Sequence, residues 1–204
     1  LKIEDRINDI LREKKKKAVY VAIALDKSGS MEPMKAEAIS GFNEYIQTLK
    51  SADYKNTDVF VTLVTFNDKV NVVFTNKHID LVEEITEAHY RPGGTTAMFD
   101  AIGHTIEVVQ SNMDEKESAL AIIISDGCEN SSQDYKAEDI ATKVKELTEV
   151  NKWKFVYIGA NQDLSQVAKD TGISTTMSYD ANSVRGMGAM YTSVSNTTLD
   201  YIEE

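Results

Sequence analysis

The chain has 204 residues, 42% of them apolar and 27% charged, a balance that suits one globular domain with at most a short appendage. Its formal charge of −11 argues against nucleic-acid binding, which needs basic surface to neutralise phosphates. No uncharged apolar stretch approaches the length that spans a bilayer, and the single Cys128 rules out an intramolecular disulfide.

Residues 1–17 read as a short amphipathic helix, with Ile3, Ile7, Ile10 and Leu11 at helical spacing and Lys14 to Lys17 at its end. This segment is part of the domain or appended to it; residues 18–204 read as the domain itself. The opening Leu1 to Arg6 is charged and does not resemble a secretory signal, although a chain without an initiator Met leaves a processed leader open. With a lone cysteine, which fits a reducing compartment, the expected location is cytoplasmic.

Val19 to Leu25 is apolar on both faces and predicts a central strand. Pro33 suits the first turn of a helix that runs to about Lys50, with Ile39, Phe42, Tyr45, Ile46 and Leu49 on one stripe. Asp58 to Phe66 is a β-branched strand, Asn67-Asp68 a turn, and Val70 to Phe74 the returning hairpin partner. A short helix is expected over Ile79 to Glu87, a loop at Arg91 to Gly94, and a helix from about Ala97 to Met113. Ala119 to Ser125 is a further buried strand, and Tyr135 to Val150 a helix with Ile140, Val144, Leu147 and Val150 inward. Trp153 to Ile158 is a strand followed by a turn at Gly159-Ala160-Asn161. Leu164 to Asp170 is a short helix ended by Gly172, Thr175 to Tyr179 a last edge strand, and Ser183 to Ser195 a final helix. Strand and helix alternate, with one hairpin. The expected fold is α/β and Rossmann-like: an open, mostly parallel central sheet with one antiparallel edge strand and helices on both faces. There is no internal repeat, low-complexity tract or interdomain linker.

Three fragments stand where a strand ends and a loop begins. They are Asp26-Lys27-Ser28-Gly29-Ser30, Gly93-Gly94-Thr95 and Ser125-Asp126-Gly127. In an open α/β sheet such ends line up along one edge. Asp26, Ser28, Ser30, Thr95 and Asp126 would there offer two carboxylates and three hydroxyls, an oxygen-only set for a hard divalent cation. Mg²⁺ suits it because it demands octahedral oxygen geometry and keeps waters; Mn²⁺ should substitute, and Ca²⁺ would bind more loosely. Two carboxylates balance a 2+ ion, and a position left free would take an Asp or Glu carboxylate of a partner protein.

The pattern D-x-S-x-S, a distant Thr and an Asp after a hydrophobic strand resembles the metal-ion-dependent adhesion site of von Willebrand factor A domains. The resemblance covers roughly residues 18–200. Its words here are Ala24-Leu25-Asp26-Lys27-Ser28-Gly29-Ser30-Met31, Gly93 to Ile102, and Ile124-Ser125-Asp126-Gly127-Cys128-Glu129-Asn130. The last, with Tyr157 to Asp163, is most similar to compact cytoplasmic versions in bacteria and phages. The resemblance implies a metal-dependent protein-binding module, with the five site positions on Asp26, Ser28, Ser30, Thr95 and Asp126.

Around them, Asp100 either orients a site hydroxyl or pairs with a helix N-terminus. Glu129 and Asn130 either border a partner surface or solvate a loop. Cys128 is expected to pack, and Met31, Met34 and Met98 to fill the core rather than form a rim. Asn161-Gln162-Asp163 either extends the recognition surface or caps a helix. No P-loop, G-x-G-x-x-G, H-E-x-x-H or G-x-S-x-G motif occurs, so an enzyme is not expected. A metal-dependent phosphohydrolase with Asp26 as nucleophile is disfavoured by Ser28, where the haloacid-dehalogenase pattern wants a second Asp. The remaining alternative is a scaffold that binds by other surfaces, its metal only stabilising loops.

Overall fold

The computed structural model describes residues 16–54, 56–114, 117–150, 152–160, 163–180 and 184–204. Of the expected N-terminal helix, only Lys16 and Lys17 fall among them, and Lys17 already opens a strand. Asn161, Gln162 and Ser183 also lie outside the described residues.

The first strand, β1 (Lys17–Asp26), is buried from Val19 to its last residue. A run with no polar face can sit only in the middle of a sheet covered on both sides. β1 indeed pairs in parallel with both β2 (Thr57–Phe66) and β4 (Ser118–Ser125). Beyond them lie β3 (Val70–His78), β5 (Trp153–Gly159) and β6 (Thr175–Ser178), giving the order β3-β2-β1-β4-β5-β6. All neighbours are parallel except β3, the antiparallel edge strand. The expected fold class is thus the observed one.

Alternation along β1 divides two cores. Val19, Val21, Ile23 and Leu25 join one cluster with α1 (Lys35–Lys50) and α5 (Val184–Glu203). Tyr20, Ala22 and Ala24 join the other, with α2 (Met98–Gln110), α3 (Ala137–Val150) and α4 (Leu164–Thr171). The chain leaves β1 toward β2 and later returns on its other side as β4. The carboxyl ends of β1 and β4 therefore flank the topological switch point, where open α/β sheets form a crevice. Register sets Leu25 beside Ile124 and Ser125 beside Gly159.

Four boundaries differ from expectation. The helix expected over Ile79 to Glu87 is a single 3₁₀ turn, Ile79–Leu81, followed by irregular chain. Ile79, Val82 and Ile85 are buried at a spacing of three, which mimics a helix. Their backbone is instead held by α1. Asn43 Nδ2 donates to Ile85 O at 3.0 Å, Ile85 N donates to Asn43 Oδ1 at 2.9 Å, and Lys50 Nζ donates to Val82 O at 2.6 Å. Pro33 lies in a 3₁₀ turn, Gly29–Met34, before α1 begins at Lys35. β3 runs on to His78 through a register shift, and α5 runs on to Glu203. Among the described residues no helix is long and apolar enough to cross a membrane.

α5 packs against α1 through one close approach. A methyl group on Gly41 would lie 2.2 Å from Tyr191 Cδ2, and Tyr191 is buried with its hydroxyl donating to Ala38 O at 3.2 Å. The ring has nowhere to go. Gly41→Ala should therefore lower stability by about 1–3 kcal/mol despite the better helix propensity of Ala, read as a fall in the urea midpoint. An unchanged midpoint would show that α5 shifts freely on α1.

Candidate metal centre

Asp26 ends β1 fully buried. The next residues turn at once, because the carboxylate recaptures its own chain: Ser28 N donates to Asp26 Oδ1 at 2.6 Å. Ser28 then caps the 3₁₀ turn, its side chain buried, while Gly29 and Ser30 rise to the surface. From β4, Ser125 Oγ donates to Asp26 Oδ2 at 2.5 Å. One residue on, Asp126 receives a hydrogen bond from Ser30 Oγ on Oδ1 at 2.6 Å, and Ser28 Oγ lies 3.2 Å from Ser30 Oγ. Asp26, Ser28, Ser30 and Asp126 are thus brought together.

The middle fragment is pinned to the first by two backbone bonds, Gly29 N to Gly94 O at 3.0 Å and Gly93 N to Lys27 O at 2.9 Å. Gly94 adopts φ +81°, and a Cβ there would lie 2.4 Å from Asp68 Oδ1, so only glycine serves. Asn67, just past β2, holds the same loop: its Nδ2 donates to Gly93 O at 2.7 Å and its carbonyl accepts from Ala97 N at 2.7 Å.

Thr95 does not join the cluster. It is exposed, whereas Thr96 is 3% exposed. A methyl group on Gly127 would stand 3.1 Å from Thr96 Oγ1, 3.8 Å from Ser30 Oγ and 4.0 Å from Asp26 Oδ2. Those three oxygens face one small space, which Gly127 keeps open, and Thr96 Oγ1 makes no hydrogen bond among the described residues.

The result is a bowl with a buried floor (Asp26, Ser28, Thr96, Ser125) and a wetter rim (Ser30, Asp126). Burial pushes the Asp26 carboxyl up to about 6; hydrogen bonds from Ser125 and Ser28 pull it down, and the Asp126 charge adds to the rise. Oxygen donors of both kinds around a common space fit a hard divalent cation, which would relieve that strain. Among the described residues no group of three or more His, Cys, Asp or Glu side chains gathers for a metal, so such a site must draw on hydroxyls.

The neighbours sort differently from expectation. Asp100 touches no site hydroxyl; its carboxylate accepts N–H bonds from Gln133, Asp134 and Tyr135 at 2.8, 2.9 and 2.9 Å. Glu129 accepts from Phe99 N at 3.0 Å, capping α2. Cys128 is exposed rather than packed. Met31, Met34 and Met98 are buried core residues, and Asp163 caps α4 through Ser165 N at 2.9 Å. Ser125, to which the sequence assigns no role, closes the apolar run Ala119 to Ile124 and so reaches Asp26.

Residues 21–191 match the family model described as von Willebrand factor type A domain, and the chain belongs to that family. Domains of this family are generally protein-interaction modules rather than enzymes. Solved structures share the fold. A von Willebrand factor type A protein from Catenulispora acidiphila is 15% identical, covers 88% of this chain and 42% of its own, and superposes with a TM-score of 0.62. The PilB minor pilin from Streptococcus sanguinis gives 13%, 92%, 62% and 0.62. Proximal thread matrix protein 1 from the mussel byssus, with a zinc-occupied MIDAS motif, gives 15%, 91%, 46% and 0.59. The chain spans between 42% and 62% of the length of these three proteins. No curated protein matches it in sequence.

The raised Asp26 pKa has a defined sign. The folded carboxyl holds its proton more tightly than the unfolded one, so the stability tied to this group is full below the ordinary value of 3.8 and is lost as pH rises through about 6. In chelator, Asp26→Asn should match wild type near pH 4 and exceed it by about 2–3 kcal/mol at pH 7, measured by urea unfolding across pH. A gap that stays constant with pH would show that the hydrogen bonds offset burial completely.

Proposed function

We propose that this chain is a Mg²⁺-dependent protein-binding module whose metal is held by Asp26, Ser28, Ser30, Thr96 and Asp126. Thr96 replaces the Thr95 of the sequence reading because it is the threonine turned toward the other donors. The observation that carries the proposal is the buried Asp26 carboxylate facing the Ser30 and Thr96 hydroxyls across the space beside Gly127. Bound there, the cation supplies a Lewis-acidic position for an Asp or Glu carboxylate of a partner. Serine and threonine contribute oxygen without charge, and Asp126 on the rim is placed beside the open side.

The mussel protein with its zinc-occupied MIDAS motif supports a divalent ion in this family; the oxygen-only donors favour Mg²⁺, with Mn²⁺ or Ca²⁺ as substitutes. Residues 18–204 belong to a single domain on this reading; Lys17 already opens its first strand, and the residues before it are part of the domain or appended to it. The free, exposed Cys128 and the family words around Asp126 favour a compact cytoplasmic form of bacterial or phage type. The charge of −11 disfavours nucleic acid as partner. Reading each of these residues as a metal donor supports a binding module rather than an enzyme, as is general in this family.

Two measurements test this. Calorimetric titration with Mg²⁺ should show Thr96→Ala weakened by about ten-fold or more and Thr95→Ala near wild type. Equal loss in both, or loss only in Thr95→Ala, would overturn the assignment. A protein captured on wild type in Mg²⁺, released by chelator or by excess glutarate, and not captured by Asp26→Ala would establish carboxylate capture. Capture indifferent to metal would instead leave a scaffold binding by another face, and metal-dependent phosphatase turnover abolished by Asp26→Asn would make it an enzyme.

A further inference from the structure

Thr96 is placed by a residue from a different loop. Asn130 lies four positions beyond Asp126, exposed, yet both its hydrogen-bonding groups that face inward end on Thr96. Its side-chain Oδ1 accepts from Thr96 N at 2.9 Å, and its own backbone N donates to Thr96 O at 3.0 Å. One residue therefore takes both main-chain groups of Thr96. The Thr96 hydroxyl has no hydrogen bond among the described residues to orient it, so its direction follows from its backbone.

We propose that Asn130 is the positioning residue of the metal centre, fixing the Thr96 backbone so that Oγ1 turns toward Asp26 and Ser30. The inference rests on the metal reading given above. It makes the loop after β4 supply one ligand, Asp126, directly and set another, Thr96, through Asn130. The residue type is demanded by the contact. An acceptor must stand two bonds beyond Cβ to meet the Thr96 N–H. Asp offers the same acceptor, Ala none, and Ser one that is too short. The surrounding bonds brace the clamp without touching Thr96. Glu129 Oε2 accepts from Phe99 N, Ser132 Oγ accepts from Asp100 N at 3.1 Å, and the Asp100 carboxylate holds residues 133–135. Glu129 and Asn130, which the sequence offered as partner-surface or solvated residues, are both turned to this bracing.

The test uses the full chain and Mn²⁺ as probe, with free Mn²⁺ followed by electron paramagnetic resonance, and amide exchange at Thr96 in metal-free protein. Asn130→Ala should weaken Mn²⁺ about ten-fold, the low end for groups that orient a ligand. Asn130→Asp should stay within about three-fold of wild type or bind more tightly. In a Thr96→Ala background, Asn130→Ala should add nothing further, and Thr96 N–H exchange should accelerate in Asn130→Ala without any metal. Tyr201→Phe, which loses its bond to Lys152 O at the amino end of β5, the sheet edge opposite the site, should keep its Mn²⁺ affinity and so separates general destabilisation from lost placement. If Asn130→Ala does not fold, Asn130→Ser carries the same expectations. Wild-type affinity in both Asn130→Ala and Asn130→Ser, or a loss undiminished in the Thr96→Ala background, would overturn the proposal. Wild type that binds no Mn²⁺ would sink the metal reading instead, and unchanged Thr96 exchange would then overturn the clamp as well.

Discussion

A carboxylate at the end of a fully buried central strand is the constraint from which the rest of the site follows. Asp26 cannot ionise in that position without help, and burial alone raises its pKa. Two residues answer that cost, Ser28 N and Ser125 Oγ donating to its two oxygens, while Tyr90 holds the strand end itself by donating to the Asp26 backbone carbonyl at 2.6 Å. What these bonds do not remove is the charge itself, and the Asp126 carboxylate nearby adds to it. A cation in the bowl is the one addition that relieves both carboxylates together.

The strand order makes that convergence possible. Asp26 and Ser125 meet only because β4 returns beside β1 after β2 and β3 have been laid on the other side. Three loops then arrive at one crevice, and each is fastened to the next by groups other than the proposed ligands. Gly29 and Gly93 tie the first loop to the second, Asn67 ties the second to β2, and Asn130 ties it to the third. Asp100 and Glu129 complete the bracing in opposite directions, each accepting N–H bonds from the other's element. The ligand side chains are thus set on a frame whose stiffness does not depend on metal.

The four inner strands were legible because they are largely buried apolar runs, and the helices because their inward stripes recur at helical spacing. The segment from Ile79 misled because burial at every third residue looks helical, while the bonds that replace the helix come from Asn43 and Lys50 on α1. Nothing in residues 79–87 announces them. The threonine pair failed for a different reason. Composition and spacing treat Thr95 and Thr96 alike, and only the tertiary bonds on Thr96 decide which hydroxyl turns in. Asn130 was visible as a residue but not as a role, since a contact spanning 34 positions leaves no local pattern. Cys128 was misjudged because cysteine is usually buried, whereas this loop spends its inward positions on Glu129 and the Asn130 amide.

The choice of neutral hydroxyls over further carboxylates has its own logic. Asp26 already bears the cost of burial, and a third acid at position 28 or 96, both buried, would add like charge where dielectric screening is least. Hydroxyls at those positions lend lone pairs and leave two carboxylates to balance two positive charges. On the metal reading, the ion then keeps enough electrophilic character to accept a third carboxylate from outside. Recognition of an acidic side chain would therefore depend on a reversal of local sign in this bowl, where the fold brings together oxygens from three loops.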